Sequence, residues 1–101
     1  MDRLEFFARA VEADPDQARA HFGYAVELDR VGRLEDAVTE YRRYLELSSD
    51  EGNAWQRLGV ALAALDRRDE AADAFLAGID AAVAHGHHGM ADDLRDLLEA
   101  L

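Results

Sequence analysis

His85, His87 and His88 are the only residues in this 101-residue chain that cluster with metal-ligand character, and Asp92 and Asp93 follow closely. Such donors could capture zinc or nickel. A rigid site would need them on a scaffold, for example a His pair four residues apart on one helix face. Here Gly86 and Gly89 bracket the histidines and Cys is absent, so the segment reads as a solvated loop and no metal is expected. Adjacent carboxylates recur at Glu35-Asp36, Asp50-Glu51, Asp69-Glu70 and Asp92-Asp93. General acid–base work needs such a group in a cleft with a displaced pKa. These pairs fall at predicted helix starts or on exposed faces, where negative charge favours the positive end of the helix dipole. Ser48 and Ser49 have no adjacent His to complete a nucleophilic triad, and no Gly-rich loop could cradle a phosphate. Neither an enzyme nor a cofactor is expected.

The elements that carry these residues follow from composition and spacing. Twenty of the apolar residues are Ala, which adds helix propensity more than core volume, so the chain suits one modest domain over residues 1–101. Twenty-two acids against 11 bases give a net charge of −11, which argues against a nucleic-acid ligand. All 11 bases are Arg. Arg without Lys fits either a GC-rich genome or an acidic surface adapted to high salt. No uncharged run approaches the ~20 residues of a membrane span. The start, Met1-Asp2-Arg3-Leu4-Glu5, lacks a signal-peptide pattern, so a cytoplasmic location is expected.

Sliding the chain by 34 residues places Tyr24 on Leu58, Ala25 on Gly59, Leu28 on Leu62, Ala37 on Ala71 and Tyr41 on Phe75. Tyr41 falls on Phe7 in the other direction. Apolar residues within each copy recur every three or four positions, as in Leu34, Ala37, Val38, Tyr41 and Leu45. The spacing predicts helices over about 2–13, 15–31, 34–47, 51–65, 68–84 and 89–100. Breaks are expected at Gly32-Arg33 and Asp66-Arg67. Asp14-Pro15-Asp16-Gln17 is read as a capped start with Pro in the first turn, and Ser48 with Glu51 as a second capping box. His21 and Trp55 occupy matching positions and are expected to pack inside their repeats. No segment alternates like a strand.

Trp55-x-x-Leu58-Gly59-x-x-Leu62, followed by Ala71-x-x-x-Phe75, resembles the tetratricopeptide repeat. The run from Phe7 to Pro15 is similar to the end of such a repeat. The resemblance implies an all-α, antiparallel helix-turn-helix solenoid of about six helices. It divides the chain into a leading half-repeat (1–17), repeats at 18–51 and 52–85, and a capping helix within 86–101. Tyr44 stands where the family usually has Ala, and Ser49 and Val83 replace the usual Pro. The stripe Met90, Leu94, Leu97, Leu98 and Leu101 fits the repeat's buried face only if about two residues are inserted around 85–89.

In the resembled family the first helix of each repeat lines a concave groove that receives a peptide. Carried over by register, the groove residues are Arg19, Phe22, Val26, Asp29 and Arg30, then Asn53, Gln56, Val60, Ala63 and Ala64. Members that grip the C-terminal carboxylate of heat-shock chaperones use Lys, Asn and Arg there. Phe22 and Val26 take two of those places, so a mixed apolar and polar segment is the better fit. Phe22 and Val26 can equally brace the first helix pair. Phe6, beside Phe7, marks a second surface for self-association. The expected role is a non-catalytic protein-interaction adaptor, and the alternative is an assembly module forming a weak homodimer through its N-terminal end.

Overall fold

The computed structural model describes residues 1–101 as six helices with no strand, the all-α helix-turn-helix fold that the spacing predicts. They are α1 (Arg3–Ala13), α2 (Ala18–Arg30), α3 (Leu34–Leu47), α4 (Asn53–Ala64), α5 (Arg68–Ala84) and α6 (His88–Glu99). They form two compact units, Met1–Ser49 and Asp50–Leu101, each with three helices.

One turn design recurs. α2, α4 and α5 each end on a residue with positive φ: Gly32 at 83°, Asp66 at 59° and Gly86 at 75°. Beyond it the next amide reaches back over the last turn, Arg33 N to Leu28 O (2.9 Å), Arg67 N to Leu62 O (2.9 Å) and His87 N to Ala82 O (2.8 Å). These bonds satisfy carbonyls that the helix end leaves unpaired. Arg33 then pairs with Asp36, and Arg67 with Glu70, across the first turn of the next helix.

In the first unit Ala20, His21, Ala25 and Leu28 of α2 bury against Ala37, Val38 and Tyr41 of α3. α1 has no fully buried residue. It is held by Phe7, whose ring occupies the space that a Cβ on Gly23 would need, and by Arg3, 3.4 Å from the buried carboxylate of Glu27. In the second unit Leu58, Gly59 and Leu62 of α4 meet Ala71 and Phe75 of α5, while Ala91 and Leu94 of α6 complete the core. Phe75 lies against Gly59, and Gly78 receives Trp55 Cβ and Leu94. A glycine at each place lets a large neighbour approach the backbone.

Three expectations change. α2 begins at Ala18 rather than near 15: Asp14 closes α1, and Gln17 caps α2 by accepting from Arg19 N at 3.0 Å. The box expected between Ser48 and Glu51 does not form, because Asp50 lies nearer to the free amides and accepts from Gly52 N (2.8 Å) and Ala54 N (2.9 Å). Trp55 is half-buried rather than sealed in the core. Its root rests on Gly78, but an indole in the first turn of α4 is too large to be covered completely. The slip before the last helix has a simple origin: α5 has 17 residues where α3 has 14.

Candidate functional site

The α2 positions at three- and four-residue spacing place Arg19, Phe22, Val26, Asp29 and Arg30 along one side. Arg19 and Arg30 are exposed, and the other three are half-buried. Phe22 packs its ring against Tyr41 (6.1 Å between centroids) and Tyr44 (5.0 Å) of α3. It therefore braces the helix pair whatever else it touches. Asp29 accepts a hydrogen bond from the Tyr41 hydroxyl at 3.0 Å, which satisfies a polar group on a fully buried ring. Arg30 donates through Nε to Glu27 at 3.2 Å. Asp29 and Arg30 thus already serve the fold.

On α4 the corresponding side carries Asn53, Gln56, Val60, Ala63 and Ala64. Asn53, Val60 and Ala64 are exposed, while Gln56 and Ala63 are half-buried. Val60 is 47% exposed although apolar. At the N-terminal end Phe6 is 56% exposed and meets Phe7 edge-on, with centroids 5.2 Å apart. Phe7 is the ring that turns inward.

The histidines divide. His85 and His87 stack 6.4 Å apart and share Glu51, whose Oε1 lies 3.1 Å from His85 Nδ1 and 3.5 Å from His87 Nε2. No group of three or more His, Cys, Asp or Glu residues is placed to hold a metal ion. His21 is buried between Glu40 (Nδ1 to Oε1, 2.8 Å) and the Pro15 carbonyl (Nε2 to O, 2.6 Å). A carbonyl only accepts, so Nε2 carries the proton there. Sequence reasoning placed His21 inside but missed both partners, as it missed the buried Glu27. Their partners lie on other elements, which intrahelical spacing does not reveal. No helix is long and apolar enough to cross a membrane.

Three identical helix-ending turns and a 34-residue offset between two of them define a helix-turn-helix repeat protein. The tetratricopeptide repeat profile matches residues 4–51 and 25–85, and the chain belongs to that family. A curated relative, the DnaJ protein P58IPK homolog of Arabidopsis thaliana, is 39% identical over 57 residues. The match spans 56% of this chain and only 12% of that relative. Among solved structures, PcrH in complex with the chaperone binding region of PopD superposes with a TM-score of 0.87 at 21% identity, over 96% of this chain and 74% of that one. MamA superposes with a TM-score of 0.71 at 18% identity, over 96% and 65%. At these identities the likeness is one of fold.

Proposed function

We propose that the chain is a non-catalytic, cytoplasmic adaptor that holds a segment of a partner protein against the first helices of its repeats. Arg19, Phe22, Val26, Asp29 and Arg30 on α2, with Asn53, Gln56 and Val60 on α4, are the contact residues. The repeats are 18–51 and 52–85, preceded by a half-repeat and followed by a capping helix in one domain. The observation that carries this reading is the open side of α4, where apolar Val60 stands exposed beside Asn53, Arg57 and Ala64. Its family and its similarity to PcrH, solved with a bound region of another protein, support it.

The test uses exposed positions that do not brace the fold. Val60→Asp and Arg19→Glu together are expected to weaken capture of the native partner about tenfold or more, with helicity unchanged by circular dichroism. Full capture by that variant would move the contact elsewhere. The exposure of Phe6 supports a second reading, self-association through α1 into a weak homodimer. Sedimentation distinguishes the two: a dimer lost on Phe6→Glu belongs to the assembly module, and a concentration-independent monomer to the adaptor.

A further inference from the structure

α5 carries large apolar side chains on the side turned away from its own core. Ala71, Ala74, Phe75, Gly78 and Ala82 are buried. Opposite them Asp69, Asp73, Leu76, Asp80 and Val83 follow one another at spacings of four, three, four and three residues, all exposed. Leu76 is 50% exposed and Val83 43%. The repeat does not require either residue, because the matching places 34 residues earlier hold the exposed, polar Arg42 and Ser49. α3 ends at Leu47, before Ser49, whereas α5 runs on to Ala84 and so brings Val83 onto the helix. Leu76 and Val83 thus stand two turns apart on one face, about 10 Å along the axis. The acids on that face are unengaged: Asp69, Asp73 and Asp80 make no ion pair and no side-chain hydrogen bond. The bases at the start of the helix are already paired, Arg67 with Glu70 and Arg68 with Asp66.

We propose that this face of α5 is a docking surface for a basic amphipathic helix of a partner protein. Its apolar side chains lie on Leu76 and Val83, and its Lys or Arg side chains meet Asp73 and Asp80. The surface lies on the second helix of its repeat, apart from the α2 and α4 residues named above, and does not depend on the adaptor reading. Asp73 and Asp80 each stand three residues before an apolar residue, so a helix that covers Leu76 and Val83 covers them as well. An uncharged helix would strip water from both carboxylates and return no partner. An acidic helix would add repulsion, and a second copy of this chain, at net charge −11, would bring the same Asp residues. A basic helix gives each carboxylate a charged donor, and its own three- and four-residue rhythm matches that of the face.

The test measures fluorescence anisotropy of two labelled helical peptides on the full chain. Both carry Leu at heptad spacing in an Ala background, with either Lys or Gln at the flanking heptad positions. The Lys peptide is expected to bind at least about tenfold more tightly than the Gln peptide. Leu76→Gln/Val83→Ser leaves the charge unchanged and should weaken the Lys peptide about tenfold. Asp73→Asn/Asp80→Asn should weaken it about fivefold, and Asp92→Asn/Asp96→Asn on α6, an equal change in charge, by less than about twofold. Circular dichroism checks that every variant remains helical. Equal losses in the two Asp variants mean that the peptide senses net charge alone, which overturns the docking surface. No binding of the Lys peptide, equal binding of both peptides, or full binding by Leu76→Gln/Val83→Ser overturns it too. A dimer in sedimentation that this variant abolishes would assign the face to a second copy instead. The Val60→Asp/Arg19→Glu variant should bind the Lys peptide as the parent does. Loss there would place the peptide on α2 and α4, so that this surface falls while the adaptor reading stands.

Discussion

His21 and Trp55 hold the same place in the two units, 34 residues apart, and the units are built around them differently. In the first unit the position is a buried imidazole tied to Glu40 and the Pro15 carbonyl. In the second it is a half-buried indole whose root rests on Gly78, and the residue in register with Glu40 is the buried Ala74. The residue in register with Gly78 is Tyr44, which packs on Phe22. A bulky Tyr44 goes with the smaller His21, and an absent side chain at Gly78 goes with the larger Trp55. The buried polar or charged side chains, His21 and Glu27, both lie in the first unit. One repeat pattern thus closes either through hydrogen bonds or through close packing of Ala, Gly and Leu against large rings.

The largest expected effect breaks the hydrogen-bonded version. His21→Ala removes two bonds and leaves Glu40 and a carbonyl short of partners, at a cost of about 2–4 kcal/mol in urea denaturation. Trp55→Ala removes a bigger side chain that is only partly covered, and should cost about 2 kcal/mol. Residue size alone predicts the reverse order. A double-mutant cycle sharpens the point: His21 and Glu40 should couple by more than about 1 kcal/mol, and Trp55 with Ala74→Ser by much less.

The next effect compares two glycines that both face an aromatic ring. Gly59→Ala would push a Cβ into Phe75, which is 1% exposed and has nowhere to move. The clash should outweigh the gain in helix propensity and cost about 1–3 kcal/mol. Gly23→Ala meets Phe7 in the same way, but Phe7 is half-buried on a helix with no buried residue. There α1 should shift, so that amide exchange in α1 accelerates while the stability of the α2–α3 pair changes by less than about 1 kcal/mol. Equal losses at the two glycines would mean that α1 is as firmly seated as α5.

Legibility in the sequence followed the range of the interactions. The helices and the turns at Gly32 and Asp66 were readable because a period of three or four residues and a local helix stop are written within a few positions. The starts of α2 and α4 were not, because Asp14, Gln17, Ser48 and Asp50 all have capping side chains and the winner depends on which reaches the free amides in the folded backbone. At the candidate site the exposed α4 positions came from register alone. The ties of Asp29 to Tyr41 and Arg30 to Glu27 join α2 to α3 or hold it internally, and no spacing rule ranks such ties against ligand contact.

The smallest effect concerns the turns that the units share. Gly32 and Asp66 sit at matching places with φ of 83° and 59°, and only Gly adopts that region without a penalty from its Cβ. Asp tolerates the left-handed region better than most residues but still pays roughly part of the 1–2 kcal/mol penalty. Asp66→Gly also gives up the contact with Arg68 at 3.2 Å, an exposed pair worth about 0–1 kcal/mol. The relief should win narrowly, raising stability by about 0.5 kcal/mol. The reciprocal change, Gly32→Asp, meets no neighbour within 4 Å, so its cost is conformational alone and should be of similar size and opposite sign. Thermal melts of the two variants and of the double exchange give a direct check. A loss of stability in Asp66→Gly would show that the Arg68 contact, rather than the backbone, decides how the second unit turns.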